Sequence, residues 1–473
     1  MHSFPFLPDP RPMHTLILFA ALAAIAAVSV AIAPRVRAPD GFFRGLDESG
    51  AAPSLLTLVF SQVTTWIFAR SLLTAAVLAY AYGLAGALAY TAYYLSFFTG
   101  AAIVDAVRFR HGCESIQAFL AQKFGRSGTL AYNILVAVRL LSEVFANLIV
   151  VGLVFGTEGT ATYFAAILAL TAVILGYSLF GGLRASLRTD VFQMGAFLVV
   201  LAVIVWQLSG DPGWSLALIA DSAPAASSPG WVLLTVAFLQ IVSYPMHDPV
   251  MMDRGFLADR RRTALSFIYA GLLSMACIFA FALLGLFAAT GAEQGEPLLD
   301  ALSRLIGPGA MLFVNLALIV SAASTLDSTL SSAAKLAVVD AGLARPTLAN
   351  GRIAMVAFMA GGLAFLFART SELYTAVAVS GTASLFLAPV IVVSLWGGRD
   401  VAVWAFHVAV AAALAGAVLY FVEAGGTVSV IEPVLGVTHK YEKLLAICVA
   451  VLAIGFCAFA LALRPARAGR PAA

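Results

Sequence analysis

The chain has 473 residues, 62% of them hydrophobic and only 11% charged, with a formal net charge of +3. Soluble domains carry roughly 25% charged residues, so this composition leaves too little polar surface for a water-soluble globule and fits apolar helices with lipid as their outer solvent. There is no basic cluster with interleaved aromatics to bind nucleic acid, and the four cysteines (Cys113, Cys277, Cys448, Cys457) have neither metal-ligand nor disulfide-framework spacing.

Apolar runs of about twenty residues predict membrane-spanning helices. Thirteen are read, near residues 13–33, 54–82, 84–107, 128–155, 160–180, 187–208, 230–252, 263–290, 309–336, 351–369, 372–396, 401–421 and 443–463. The first lacks the basic flank and short apolar core of a signal peptide, so it is read as a retained span. Residues Glu114 to Phe124 read as a short amphipathic helix on the membrane surface. No soluble domain interrupts the chain, and function is expected among the spans.

Orientation follows from lysine and arginine. One set of loops carries most of them, from Arg35, Arg37 and Arg44 through Arg184, Arg188, Arg260, Arg261 and Arg262 to Arg464, Arg467 and Arg470. The alternate set carries Arg11, Arg304, Arg369, Lys440 and Lys443. The positive-inside rule then puts the N-terminus outside and the C-terminus in the cytoplasm.

Polar groups inside spans are costly and mark functional candidates. The second span holds Gln62, Thr64 and Thr65 beside Trp66, with Arg70 one turn later; an interruption there would free carbonyls for a cation. In the fourth span Arg139 and Glu143 are i, i+4 on one face. They form either a pair that holds the bundle together or a cavity-facing cation for an anionic solute. The sixth span begins with Asp190, read either as a helix-start carboxylate or as a cation ligand. In the seventh, Gln240 to Gly255 contains Tyr244, Pro245, His247, Asp248 and Pro249; each proline removes a backbone hydrogen bond. A proline kink explains either interruption alone. Two interruptions five spans apart point instead to inverted repeats, 54–208 and 230–396. In the ninth, Ser321, Ser324, Thr325 and Ser328 share one helix face, joined by Asp327. A serine stripe can be a packing seam, but a buried carboxylate needs a cation, a proton or a basic partner.

Three segments resemble the sodium/solute symporter family. GGLRASLRTDVFQ (181–193) is similar to its cytoplasmic-loop signature. STLDSTLSSAAKLAVVD (324–340) resembles its ninth span, with Ser324 and Thr325 as the hydroxyl pair and Asp340 as the later Asp. SIQAFLAQKFG (115–125) resembles the short helix after its third span. The resemblance implies an all-α membrane protein with a core of two inverted five-helix repeats and sodium as the coupling ion. It implies a sodium site from the carbonyls of Phe60, Val63 and Ser321 and the hydroxyls of Ser324 and Thr325. A second cation site would use Asp190, Ser324, Asp327 and Ser328. The sequence departs from the family in four places. The family often has Gly at the break in the second span, and here Thr64 and Thr65 occupy it. Gln62 stands where proline-transporting members carry Asp, Asp327 replaces a small residue, and Arg70 fits no family pattern.

The expectation is therefore a multi-pass protein of a bacterial inner membrane that carries a small organic solute inward with sodium. The solute is expected near Gln62, Thr65, Trp66, Arg70, Arg139, Gln240, Tyr244, His247 and Asp248. Proton coupling through Asp190, Asp327, Asp248 or His247 is one alternative. A solute sensor that borrows a signalling partner is the other. An enzyme is not expected, because no nucleophile–base pair, metal box or nucleotide loop is present.

Overall fold

The structure is a computed structural model that describes residues 12–367, 380–424, 426 and 429–464. The first part of the span expected at 372–396, the end of that at 351–369, and Arg11, Arg369, Arg467 and Arg470 lie outside the described residues.

Among the described residues the chain is helical apart from one isolated bridge, Val401 to Leu463. Nine helices are long and apolar enough to cross a membrane, and three shorter apolar ones are Leu55–Trp66, Pro229–Gln240 and Gly381–Trp396. In chain order the elements are α1 (Pro12–Ile32), α2 (Pro39–Arg44), α3 (Leu55–Trp66), α4 (Ala69–Ala92), α5 (Ser96–Val104), α6 (Ile116–Phe155) and α7 (Ala161–Ser209). There follow α8 (Ala217–Asp221), α9 (Pro229–Gln240), α10 (Pro249–Gly255), α11 (Arg260–Thr290), α12 (Leu298–Lys335) and α13 (Leu348–Phe367). Helices Val403–Ala424 and Lys440–Leu461 pack on each other near the C-terminus.

Two of these helices double back. In a straight helix Ser71 and Tyr90 would stand roughly 28 Å apart along the axis, yet the Tyr90 hydroxyl donates to Ser71 Oγ at 2.9 Å. The chain reverses at Tyr82 and Gly83, where Gly83 has φ 57 and ψ −144. A Cβ there would meet the Ser222 carbonyl oxygen at 1.9 Å, so only glycine fits. In α7, Tyr177 and Thr189 both donate to Asp327 Oδ2, at 2.7 and 2.8 Å. A straight helix would hold them roughly 18 Å apart; Gly182, at φ 53, makes the reversal. Gly125, at φ 67, likewise ends the first segment of α6, the short helix expected before the fourth span.

Both expected spans are interrupted, the seventh at its prolines and the second just beyond its polar residues. The helix α3 stops at Trp66, Ile67 leaves helical geometry at φ −86 and ψ 75, and α4 begins at Ala69. The break thus falls after Trp66 rather than at Thr64 and Thr65. Both threonines bond back to their own helix, Thr64 Oγ1 to Phe60 O at 2.9 Å and Thr65 Oγ1 to Gln62 O at 3.1 Å, which leaves those turns intact. The seventh span breaks into α9, a 3₁₀ turn at Pro245–His247, and α10. Asp248 caps α10 by accepting from Met251 N at 3.1 Å. The helix α12 runs through the middle, against α3, α4, α6, α7 and α10, and its stretch from Ala317 to Ala334 is buried throughout.

Candidate functional site

The first part of the site is the junction between the α3 break and α12. Freed from helical pairing, the carbonyls there accept from side chains. Ser321 Oγ donates to Ile67 O, Thr325 Oγ1 lies 3.4 Å from Thr64 O, and the Tyr94 hydroxyl donates to Trp66 O at 2.8 Å. Ser321, Ser324 and Thr325 are all buried. Of the carbonyls at the break, those of Thr64 and Ile67 are thus the ones that the Thr325 and Ser321 hydroxyls reach, whereas the Phe60 carbonyl accepts from Thr64 Oγ1 and the Val63 carbonyl from Ile67 N at 3.0 Å. The Ser321 carbonyl accepts from Thr325 Oγ1 at 2.9 Å. Neutral hydroxyl and carbonyl oxygens without sulfur or imidazole suit a hard monovalent cation.

One turn further along α12 lies a cluster that brings all four expected second-site residues together. Asp190 Oδ2 accepts from Ser61 Oγ at 2.5 Å, and Asp190 Oδ1 from Ser324 Oγ at 3.3 Å. Asp327 accepts from Tyr177 and Thr189 at one oxygen and from Ser186 Oγ (3.2 Å) and Ser328 Oγ (3.3 Å) at the other. Inside this cluster sits Arg254 of α10, fully buried. Its Nη2 donates to Ser328 Oγ at 2.8 Å and Ser186 Oγ at 3.2 Å, its Nε to Ser61 Oγ at 3.1 Å, and Nη2 lies 3.8 Å from Asp190 Oδ2. Arg254 was not singled out by the sequence, although it lies within the stretch that was. Nothing in its local pattern says that three other helices close around it. Two buried carboxylates face one guanidinium, so the cluster lacks one positive charge for neutrality.

The third part is a cavity of about 270 Å³ beside the break, lined by Trp66, Arg70, Gln240 and Tyr244 from the expected set, and by Tyr90, Tyr93, Tyr420, Lys440 and Tyr441 among others. A recess of about 60 Å³ adjoins it; Arg70, Ser71, Tyr90 and Tyr244 line both, and Arg139, Glu143 and Asn147 line the recess. Arg139 is committed to protein carboxylates. Its Nη2 donates to Asp248 Oδ2 at 2.5 Å and to Glu143 Oε1 at 2.7 Å, and its Nη1 to the Tyr244 hydroxyl at 3.1 Å. Asp248 also accepts from Trp66 Nε1 at 2.8 Å, so Trp66 is pinned across the break to α10. Gln240 takes the Tyr93 hydroxyl at 2.8 Å on its Oε1. Four of the expected residues, Gln62, Thr65, His247 and Asp248, are buried and do not line either cavity. Both amide atoms of Gln62 and the Nδ1 of His247 are without a hydrogen-bond partner. Tyr90, Tyr93, Tyr420 and Tyr441 were missed because aromatic residues in apolar spans carry no periodic signal that separates a cavity wall from lipid contact.

No family model and no curated protein matches this chain. Among solved structures it is similar to a Na⁺-coupled sialic acid symporter in a substrate-bound outward-open state, with a TM-score of 0.69 at 14% identity, covering 95% of this chain and 98% of that one. It is also similar to Mhp1, a nucleobase-cation-symport-1 family transporter, in a closed conformation with bromovinylhydantoin bound, with a TM-score of 0.55 at 14% identity and coverage of 90% and 96%. At such identity the likeness is one of fold: the chain has the helical membrane fold that these transporters share.

Proposed function

We propose that this chain is a sodium-coupled symporter that moves a small organic solute into the cell by alternating access. In this reading it crosses the cytoplasmic membrane thirteen times, N-terminus outside and C-terminus inside. Two inverted five-helix repeats, 54–208 and 230–396, form its core behind an extra first span, and two C-terminal spans (401–463) follow. The observation that carries the reading is the junction where the interrupted second span meets the buried hydroxyls of Ser321 and Thr325 on α12. A fold shared with sodium-coupled transporters supports it.

Sodium binds among the hydroxyls of Ser321, Ser324 and Thr325 and the carbonyls of the broken span. The carbonyls of Phe60, Val63 and Ser321, with the hydroxyls of Ser324 and Thr325, are those the family resemblance implies; the Ser321 hydroxyl is added because it and Thr325 reach the carbonyls of Ile67 and Thr64. An ion there bridges α3 and α12, which belong to opposite repeats, and so favours the arrangement in which both are within reach. Coupling requires only that sodium bind one state better than the other. The membrane potential adds roughly 2.3 kcal/mol per charge per 100 mV. The solute lies in the cavity at Trp66, Arg70, Gln240 and Tyr244.

A second reading, proton coupling, is favoured by one observation: Asp190 and Asp327 share the hydroxyls of Ser186 and Ser328 against a single guanidinium. The missing charge is then a proton in place of a second cation at Asp190, Ser324, Asp327 and Ser328.

Thermal unfolding of the purified protein in sodium against potassium or choline, at two pH values, separates them. Sodium coupling predicts a sodium-specific rise in Tm that Thr325→Ala removes. No response to sodium, with a pH-dependent shift that Asp327→Asn abolishes, replaces it with proton coupling.

A further inference from the structure

We propose that the second cation place of this chain is filled by its own Arg254, so that the cluster at Asp190 takes no metal ion. Resting on the transport reading above, it leaves sodium a single place to bind, the junction of α3 and α12.

The oxygens of the cluster are where the two cations would compete. The family resemblance implies a second cation among Asp190, Ser324, Asp327 and Ser328. The fold brings these four together, but a guanidinium already stands among them. Arg254 Nη2 lies 2.8 Å from Ser328 Oγ, 3.2 Å from Ser186 Oγ and 3.8 Å from Asp190 Oδ2. Ser328 Oγ is itself 3.5 Å from Asp190 Oδ2. A metal ion bonded to both of those oxygens would meet a like charge at close range, in a buried place where the repulsion is poorly screened. Asp190 Oδ2 is further engaged by Ser61 Oγ at 2.5 Å, and the same Ser61 Oγ accepts from Arg254 Nε at 3.1 Å. The residues present therefore do not fit a second metal ion. Asp327 is held separately, with the hydroxyls of Tyr177, Thr189, Ser186 and Ser328 within hydrogen-bond reach to spread its charge.

The cation is also tethered. Arg254 is fully buried, and its Nη1 donates to the Val250 carbonyl of its own helix at 3.1 Å and lies 3.5 Å from Ser332 Oγ. A guanidinium keeps its charge when buried and has donors for several acceptors at once, so one side chain satisfies oxygens on α3, α7 and α12. Its desolvation is met once, on folding, whereas an exchangeable ion would meet it at every cycle. At the junction the contacts differ: the hydroxyls of Ser321 and Thr325 reach the neutral carbonyls of Ile67 and Thr64.

The test counts sodium on the full-length protein by equilibrium dialysis of radiolabelled sodium chloride against choline chloride, with Tm read alongside. The native chain is expected to bind one sodium per chain, lost in Thr325→Ala. Arg254→Ala vacates the place beside Asp190. It is expected to bind one sodium more than the native chain, with a steeper rise of Tm in sodium. That gain should persist when Thr325→Ala is added and vanish when Asp190→Asn is added. A merely structural role for Arg254 predicts lost stability and no added sodium. If Arg254→Ala does not fold, Arg254→Ala with Asp327→Asn takes its place, since it carries the net charge of the native cluster; if neither folds, the native count decides. The proposal is overturned if the native chain binds two sodium ions, or if removing the guanidinium adds none. A native chain that binds no sodium, with the gain in Arg254→Ala intact, ends the sodium reading and leaves the built-in cation standing, so the two fail separately.

Discussion

Arg254 is held by acceptors on α3, α7 and α12 and by the Val250 carbonyl of its own helix. Replacing it with a neutral side chain leaves Asp190 and Asp327 facing each other through Ser186 and Ser328 with no cation. Breaking a buried pair in this way costs about 3–5 kcal/mol. Arg254→Met is expected to lower stability by that order in chemical unfolding, and Arg254→Met combined with Asp190→Asn to recover much of it. Recovery distinguishes an uncompensated charge from lost packing, which the second change would not restore. The candidate site was partly legible at this scale. Hydroxyls at i, i+3, i+4 and i+7 on α12 and a carboxylate among them are a pattern that one sequence shows. Arg254 was not, because the partners that make it central lie 64 and 73 positions away, at Asp190 and Asp327, and only the packing of four helices brings them together.

At the level of elements, length and apolarity predicted most helices, and paired prolines predicted the break in the seventh span. The position of the break in the second span was displaced, from Thr64 and Thr65 to Ile67 and Phe68. Threonine hydroxyls that look like helix breakers in sequence can satisfy their own helix's carbonyls instead, as these do. The reversals at Gly83 and Gly182 join helices with almost no intervening residue, so each depends on one backbone geometry. Gly83→Ala is expected to destabilise strongly, because it adds strain at φ 57 to a clash with the Ser222 carbonyl. Gly309→Ala, with open space around it, is the control expected to be nearly neutral, with both read as Tm. Outside the membrane, Asp259 caps α11 by accepting from Arg262 N at 3.0 Å. That hydrogen bond holds its carboxyl below the ordinary 3.8. A depressed folded-state pKa gives stability that is present above 3.8 and lost as pH falls through the lower folded value. The Tm difference between native protein and Asp259→Ala should therefore be full near neutrality and shrink in acid.

For the molecule as a whole, the two faces differ. On the proposed cytoplasmic side Lys335 Nζ bridges Asp253 at 2.6 Å and Asp340 at 3.1 Å, and Arg108 donates to the carbonyls of Gly255 and Ala258. These contacts tie the end of α12 to α10 and α10 to the helix after α5. The aromatic cavity lies towards the other face, beside Leu233 and Lys440. The topology itself can be checked with thiols. Cys113, in the loop before α6, is proposed to be cytoplasmic, and Ser215, exposed before α8, to be outside. An impermeant maleimide added to intact cells should label Ser215→Cys and spare Cys113, which should react only after permeabilisation. Burial pushes the Cys113 thiol above its ordinary 9.0, so its labelling should speed up with alkaline pH as the thiolate forms. Labelling of Cys113 in intact cells would invert the orientation.

The hairpin at Gly83 also bears on how the protein is made. With almost no loop between them, the two arms are expected to enter the bilayer together, each shielding the other's polar residues, Ser71 and Tyr90, from hydrocarbon. A lesion at this glycine should thus show itself at biogenesis, as a chain left unfinished and degraded, before any change in what the finished protein can carry.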